Sequence, residues 1–200
     1  RKPVPPFSNR NRRKDGSYRW LEWRSYPLGD LFYAAARDIT ERKRAQDELA
    51  SQKAFLQKII DADPNLIFVK DHDSRFLLVN KALAVGYGVD RPEDVIGKSD
   101  ADFNPCPDEV AHFHADDVEV IEKKQEKFIP EEKITLADGR VRWLQTSKRP
   151  LIEPDGSCLG LLGVSSDITG RKEAEEELRR LRNYLSNIID SMPSILVGVD

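Results

Sequence analysis

The sequence predicts an α+β fold, an antiparallel sheet with helices over one face. Three observations carry it. Asp-Gly turns sit between extended runs, a signal for hairpins. Short apolar runs lie at both ends of the stretch 63–169, and the pattern between them is helical and broken. That gives two strands, several short helices and then three strands, the order of helices segregated onto one sheet face.

The chain also says one passage twice. Asp15-Gly16-Ser17-Tyr18-Arg19-Trp20-Leu21 returns as Asp138-Gly139-Arg140-Val141-Arg142-Trp143-Leu144, and Pro27-Leu28 as Pro150-Leu151. Asp38-Ile39-Thr40-Glu41-Arg42-Lys43 returns as Asp167-Ile168-Thr169-Gly170-Arg171-Lys172. From there the offset is constant at 129 residues and needs no gap: Leu49 matches Leu178, Ile59-Ile60-Asp61 match Ile188-Ile189-Asp190, Pro64 matches Pro193 and Asp71 matches Asp200. A period this long is a repeated domain, not a solenoid unit. The layout expected is the C-terminal strands of a first unit (1–40), a helical linker (41–62), a complete unit (63–169), a second helical linker (170–191) and the first strand of a further unit (192–200). The chain thus reads as a window on a longer tandem array rather than a self-contained enzyme.

In order, residues 10–14 and 18–26 are strands around Asp15-Gly16. Gly29-Asp30 marks a turn that is longer in the second copy, at Pro154-Asp155-Gly156-Ser157, the tip where length change is tolerated. Residues 66–70 and 75–79 form a hairpin around Asp71-His72-Asp73-Ser74. Asn80 caps a helix over 81–87, Arg91-Pro92-Glu93 opens a short turn, and a longer helix runs from Asp108 or Glu109 to about Lys124. Residues 133–136 and 141–151 repeat the first hairpin, and a last strand covers 158–165.

Composition narrows the function. With 39% hydrophobic and 34% charged residues, 200 residues bury one core but are more polar than a compact enzyme. A net charge of −3 gives no case for nucleic acid or membrane. The basic cluster at residues 10–14 reads as an edge strand protected by charge. No run approaches the length of a membrane span, and a cytoplasmic location is expected. Cys106 and Cys158 suggest neither a disulfide framework nor a metal site. Hydrolase, nucleotide-loop and zinc-protease motifs are missing from the sequence, so the segment is expected to be non-catalytic.

Pro64-Asn65-Leu66-Ile67-Phe68-Val69-Lys70-Asp71, Phe76-Leu77-Leu78-Val79-Asn80, Val95-Ile96-Gly97-Lys98, Asp138-Gly139-Arg140 with Trp143, and Asp167-Ile168-Thr169 together resemble the PAS domain family. The resemblance covers nearly the whole chain. It implies a five-stranded sheet of order 2-1-5-4-3, a pocket between sheet and helices, and a sensory or docking role in a signalling protein. The parent expected is a sensor histidine kinase of a two-component system. The alternatives are a ligand-free dimerisation or docking module, a haem- or other cofactor-bound sensor, and the PAS array of a diguanylate cyclase or phosphodiesterase.

The resemblance raises cofactor questions. Light-sensing relatives attack flavin with a cysteine, and Asp100 stands at that position here, so flavin adduct chemistry is disfavoured. Haem relatives use a histidine on the long helix. His112 and His114 are two apart and cannot both face one pocket; His114 is the candidate ligand, against a solvated histidine at a helix start. Asp100, Asp102, Asp108, Asp116 and Asp117 lack calcium-loop spacing and read as solvated caps, so no metal is assigned. No cofactor is assigned, and a small-molecule ligand is left open. Its candidate walls are Val69, Leu78, Leu83, Tyr87, Phe103, Phe113, Ile121, Leu144 and Val164, with Thr146 and Ser165 as polar contacts; the alternative is that these side chains simply fill the core.

Outside the pocket, Thr40 and Thr169 are expected to cap the following helices. The resemblance pairs Asp38 with Arg42 and Asp167 with Arg171 as a signal-transmission joint. After the second joint, Ala174, Leu178, Leu181, Leu185, Ile188 and Met192 alternate steps of four and three, a heptad seam. Ala45, Leu49, Gln52, Leu56 and Ile59 occupy it in the first linker. The seam predicts a homodimer, with the output domain in the same chain and no nucleic-acid or membrane partner.

Overall fold

The computed structural model describes residues 5–28, 31–136 and 138–191. The turn expected at Gly29-Asp30, the seam position Met192 and the strand expected over 192–200 lie outside them. The chain divides into two compact units, Arg1–Lys58 and Ile59–Asp200.

In the first unit, β1 (Phe7–Arg12), β2 (Tyr18–Leu28) and β3 (Leu31–Asp38) form an antiparallel sheet in that order. β1 is one of its two edge strands, which agrees with the charge carried at residues 10–12. Gly16, at φ +85°, makes the β1–β2 turn, a backbone region that suits glycine. Helix α1 (Thr40–Asp61) follows β3 after a single residue.

The second unit is an α+β fold. Strands β4 (Leu66–Lys70) and β5 (Phe76–Val79) form a hairpin. Helix α2 (Lys81–Gly86) and two 3-10 turns, Pro92–Asp94 and Asp100–Asp102, lead to α3 (Pro107–Lys123). Then β6 (Lys127–Thr135), β7 (Val141–Ile152) and β8 (Cys158–Asp167) complete the sheet, and α4 (Thr169–Ser191) leaves it. The antiparallel order is β5-β4-β8-β7-β6, or 2-1-5-4-3 counted along the unit. Among the described residues no helix is long and apolar enough to cross a membrane.

Local chemistry explains the elements. Asn80 caps α2 as the sequence predicts, its Oδ1 accepting from the Leu83 N–H at 3.1 Å and also from Ile67 at 3.0 Å. Its amide donates to the carbonyls of Ile60, Asp63 and Asn65. One fully buried side chain thus closes the entry to β4 and the start of α2. Cys106 stands at the N-cap of α3, with Pro107 in the first turn. At Gly163 a Cβ would fall 2.1 Å from the Phe68 ring. The missing side chain is the space into which Phe68 packs across the register pair.

The strand expected over 133–136 is longer upstream, beginning at Lys127. Pro130 and the register shift between Ile129 and Glu132 hide it from a period-two reading. Proline is tolerated there because β6 is a sheet edge. The core lies between the sheet and α2 and α3, and includes Phe68, Phe76, Val79, Leu83, Tyr87, Val95, Phe113, Val120, Ile121, Ile134, Leu144 and Leu161.

Candidate functional site

The inner sheet face is set by alternation. Phe68 and Lys70 point into the core, so Val69 does not. Val69 pairs with Leu78 and Leu162, and Ile67 pairs with Val164. Of the candidate pocket walls, Val69, Leu78 and Val164 therefore lie on the outer face, one residue out of register, and are half-buried there. The apolar run over 66–70 offers no alternation from which to choose the face.

The remaining candidates converge. Leu83, Tyr87, Phe113, Leu144 and Ser165 line a cavity of about 30 Å³, together with Leu66, Phe68, Lys70, Asp100, Glu132, Ile134 and Lys148. That volume holds about one water molecule. Phe103 lies behind the wall, stacked on Tyr87 with centroids 4.8 Å apart. Ile121 belongs to the core on α3. The Thr146 hydroxyl donates to the Ser165 hydroxyl at 2.8 Å, both buried.

The cavity floor is ionic, which the sequence reading missed. Lys70 Nζ donates to Asp100 Oδ2 at 2.5 Å and to Asp117 Oδ2 at 2.7 Å. Lys148 Nζ donates to Asp117 Oδ1 at 2.5 Å and to the Phe113 carbonyl at 3.1 Å. The Tyr87 hydroxyl donates to Asp100 Oδ1 at 2.8 Å. All five side chains are buried. Asp100, Asp116 and Asp117 are thus not solvated caps; only Asp102 among the 3-10 acids keeps a cap role, bonded to the Ser99 N–H and hydroxyl. Two lysines on inward strand positions, Lys70 on β4 and Lys148 on β7, were the available signal, because buried charge needs a partner.

Burial works to lower Lys70, but the carboxylates of Asp100 and Asp117 outweigh it and hold the ammonium above its ordinary value. Burial, then the Asp100 charge, pushes Tyr87 well above the ordinary phenol range. Burial also raises Glu132. The network is a set of fixed charges around a water-sized space. It can recognise a small polar group or hold the sheet against the helices.

The histidines do not serve the cavity. His114 is exposed and its Nδ1 lies 2.9 Å from the Ser74 hydroxyl, so the candidate haem ligand is turned away. His112 is also exposed, its Nε2 3.6 Å from Asp116 Oδ2. Asp100, at the flavin position, is committed to Lys70 and Tyr87.

The joints form a second site, with partners other than those expected. Asp38 pairs with Arg19 at 2.5 Å and Asp167 with Arg142 at 3.0 Å, each across the sheet. Arg171 instead approaches Glu175 at 3.9 Å. The reason is that Oδ1 of each aspartate turns towards the helix start, accepting from the Thr40 N–H at 3.0 Å and the Thr169 N–H at 2.9 Å. The other carboxylate oxygen then faces the adjacent strand. The threonine hydroxyls do not cap the helix either. Thr40 Oγ1 accepts from the Trp20 N–H and Thr169 Oγ1 from the Trp143 N–H, both at 2.9 Å. Lys43 and Lys172 lie over the rings of the same tryptophans, at 5.7 and 5.3 Å. Each strand end, helix start and neighbouring strand are clasped by the same set of bonds.

None of the described side chains of α4 is buried. Leu178, Leu181 and Leu185 are exposed and Ile188 is half-buried. In α1, Leu49, Leu56 and Ile59 are exposed in the same way.

Residues 60–173 match the family model described as the PAS fold. The virulence sensor protein BvgS of Bordetella bronchiseptica is 32% identical over 144 residues, covering 71% of this chain and 12% of BvgS. A diguanylate cyclase of Vibrio cholerae is 28% identical over 72% of this chain and 45% of its own length. The methanogenesis regulatory histidine kinase FilI of Methanothrix harundinacea is 28% identical over 76% of this chain and 17% of its own. The chain thus spans less than half the length of each of these relatives. The solved PAS domain of Bordetella pertussis BvgS superposes with a TM-score of 0.51 at 29% identity, covering 67% of this chain and 98% of that domain.

Proposed function

The chain belongs to the PAS family, and from that premise we propose that it relays a signal from the core of residues 63–169 through the Asp167–Thr169 clasp into α4, within a cytoplasmic sensor of the histidine kinase class. A PAS domain is a sensory module rather than a catalytic one, and the relatives are a sensor protein, a histidine kinase and a diguanylate cyclase. The layout proposed is a unit ending at 40, a linker over 41–62, the complete unit at 63–169, a linker over 170–191 and the start of another unit.

The repeated clasp carries the relay. The same three bonds tie strand end, neighbouring strand and helix start together at Asp38–Thr40 and at Asp167–Thr169, and each helix then presents an exposed apolar seam. A helix gripped at its start moves with the sheet, and a seam of leucines seeks a partner helix. The partner proposed is a second copy of the same helix, in parallel. Cysteine placed at Leu181 tests this: rapid cross-linking between chains under mild oxidation supports it. No cross-link, with a monomeric mass in solution, would leave the helix without a symmetric partner.

A second reading is favoured by the cavity. A space of about 30 Å³ between charges admits no drug-sized ligand. On this reading the core is filled by its own side chains and the unit docks or dimerises without a ligand. Native mass spectrometry separates the two: an added mass retained by the purified protein supports ligand sensing, and bare mass supports docking.

A further inference from the structure

His112, Asp116 and Glu132 stand apart from the ionic floor of the cavity, where α3 faces β6. One ligand-capable atom from each lies within 4.8 Å of the other two. His112 and Asp116 are one helical turn apart on α3, which places them on one face. Glu132 reaches the same point from β6.

Two of these groups are incomplete. Asp116 Oδ2 and Glu132 Oε2 are buried, and neither has a hydrogen-bond partner. Asp116 is 3% and Glu132 8% exposed. Lys127 takes the other Asp116 oxygen at 2.8 Å and leaves Oδ2 turned towards His112, 3.6 Å from its Nε2. Orphaned buried carboxylate oxygens are costly. Two of them beside an imidazole, with no donor between, describe a space for a cation.

We propose that His112, Asp116 and Glu132 form a binding site for a divalent transition-metal ion that ties α3 to β6. The donor set is one imidazole nitrogen and two carboxylate oxygens. Imidazole selects against calcium and magnesium, which prefer oxygen throughout. Ligand atoms about 2.1 Å from a tetrahedral zinc stand about 3.4 Å apart, near the present His112–Asp116 spacing. All three ligand atoms lie within 4.8 Å of one another, and the His112 side chain, 59% exposed, has room to adjust. A surface hollow lined by His112, Glu132, Lys133 and Trp143 borders the site on its His112 side.

The site is wired to the clasp. Glu132 pairs with Leu144, next to Trp143 on β7. Its neighbour Glu131 holds Lys172 of α4 at 2.5 Å. An ion pulling Glu132 towards α3 would act on β6 where β6 grips α4. This gives the PAS unit an input that does not use the cavity, and binding stands or falls separately from the relay.

The test is calorimetric titration of Zn²⁺ into the 200-residue chain, repeated on His112→Ala, Glu132→Gln and His114→Ala, with Co²⁺ absorption as a second readout. The expected result is one ion per chain, affinity weakened by about tenfold or more in His112→Ala and Glu132→Gln, and no change in His114→Ala. Visible Co²⁺ bands should vanish in the same two variants, and a large excess of Mg²⁺ should not displace zinc. Circular dichroism of the metal-free variants confirms folding; His112 is exposed, so its removal should leave the fold intact. Three outcomes would overturn the proposal: no binding up to millimolar Zn²⁺, binding indifferent to both substitutions, or displacement by Mg²⁺.

Discussion

Thr169 holds Trp143: its hydroxyl oxygen accepts the tryptophan backbone N–H at 2.9 Å, while the Ile168 N–H donates to the Trp143 carbonyl at 2.8 Å. Thr40 and Ile39 hold Trp20 in the same way, at 2.9 Å for both bonds. The conventional role of a threonine at a helix start is to cap its own helix. Here it satisfies a neighbouring strand and leaves the cap to aspartate.

Replacing Thr169 by valine keeps the shape and removes the acceptor. The Trp143 N–H is then left part-buried and unpaired, at a cost of about 1–2 kcal/mol. Hydrogen exchange at Trp143 should accelerate in Thr169→Val. Arg171→Ala should change neither exchange nor melting, since among the described residues the ion-pair partner of Arg171 is Glu175 on its own helix. An equal response to both substitutions would contradict the clasp as described.

Asp117 carries two lysines at once. In Asp117→Asn both Lys70 and Lys148 lose a charged partner inside the core. Breaking a buried pair from one side costs about 3–5 kcal/mol. Thermal or denaturant unfolding should show a loss of that order, against a small effect for Arg140→Ala, whose pair with Asp138 is exposed. A mild effect at Asp117 would mean that water reaches the lysines.

The clasp should be sensitive to acid. The Thr40 hydroxyl, then its N–H, then Arg19 lower the Asp38 carboxyl to about 2. At Asp167 burial acts upward, but Thr169 and Arg142 outweigh it and the pKa is lowered. A carboxylate depressed in the folded state adds stability above its unfolded value, and that stability is lost as pH falls through the folded one. At Asp38 the contribution is therefore complete above about pH 4 and disappears towards pH 2, and at Asp167 it is lost as pH falls below the ordinary aspartate value. Carboxyl-carbon titration by nuclear magnetic resonance should place Asp38 below the ordinary aspartate range; an ordinary midpoint would remove the bonds from solution.

Gln52 stands on the first linker at the position that Leu181 holds on the second. In the structure its amide is turned to Glu48 on its own helix, at 3.2 Å. A polar seam residue weakens pairing and fixes register. Gln52→Leu should strengthen self-association of the chain, read by analytical ultracentrifugation. Unchanged association would place that part of α1 outside any dimer seam.

The fold was legible because its signals are local. Asp-Gly turns, the Asn80 cap and the broken helical middle each depend on neighbours in sequence, and all reappear in the structure. The site was less so. Leu83, Tyr87, Phe113, Leu144 and Ser165 reach the cavity wall, but Val69, Leu78 and Val164 do not, since a continuous apolar strand gives no clue to its inner face. The ionic floor was illegible for another reason. Asp100 and Asp117 meet Lys70 only after α3 folds over the sheet, and alone each reads as an ordinary acid near a helix start. The clasp partners failed similarly: Asp167 to Arg171 is close in sequence, whereas Arg142 is close only across the ladder.

The duplicated clasp also makes the junctions interchangeable. Excising one period, residues 41–169, would join Thr40 directly to Gly170 with Asp38, Arg19 and Trp20 still in position to grip the new helix. The incoming helix keeps the angular phase of the one it replaces, because the two copies run at constant offset from the clasp onward. Such a chain can gain or shed whole segments in steps of one period without misaligning the helix that follows, so its length is adjustable while its gearing stays the same.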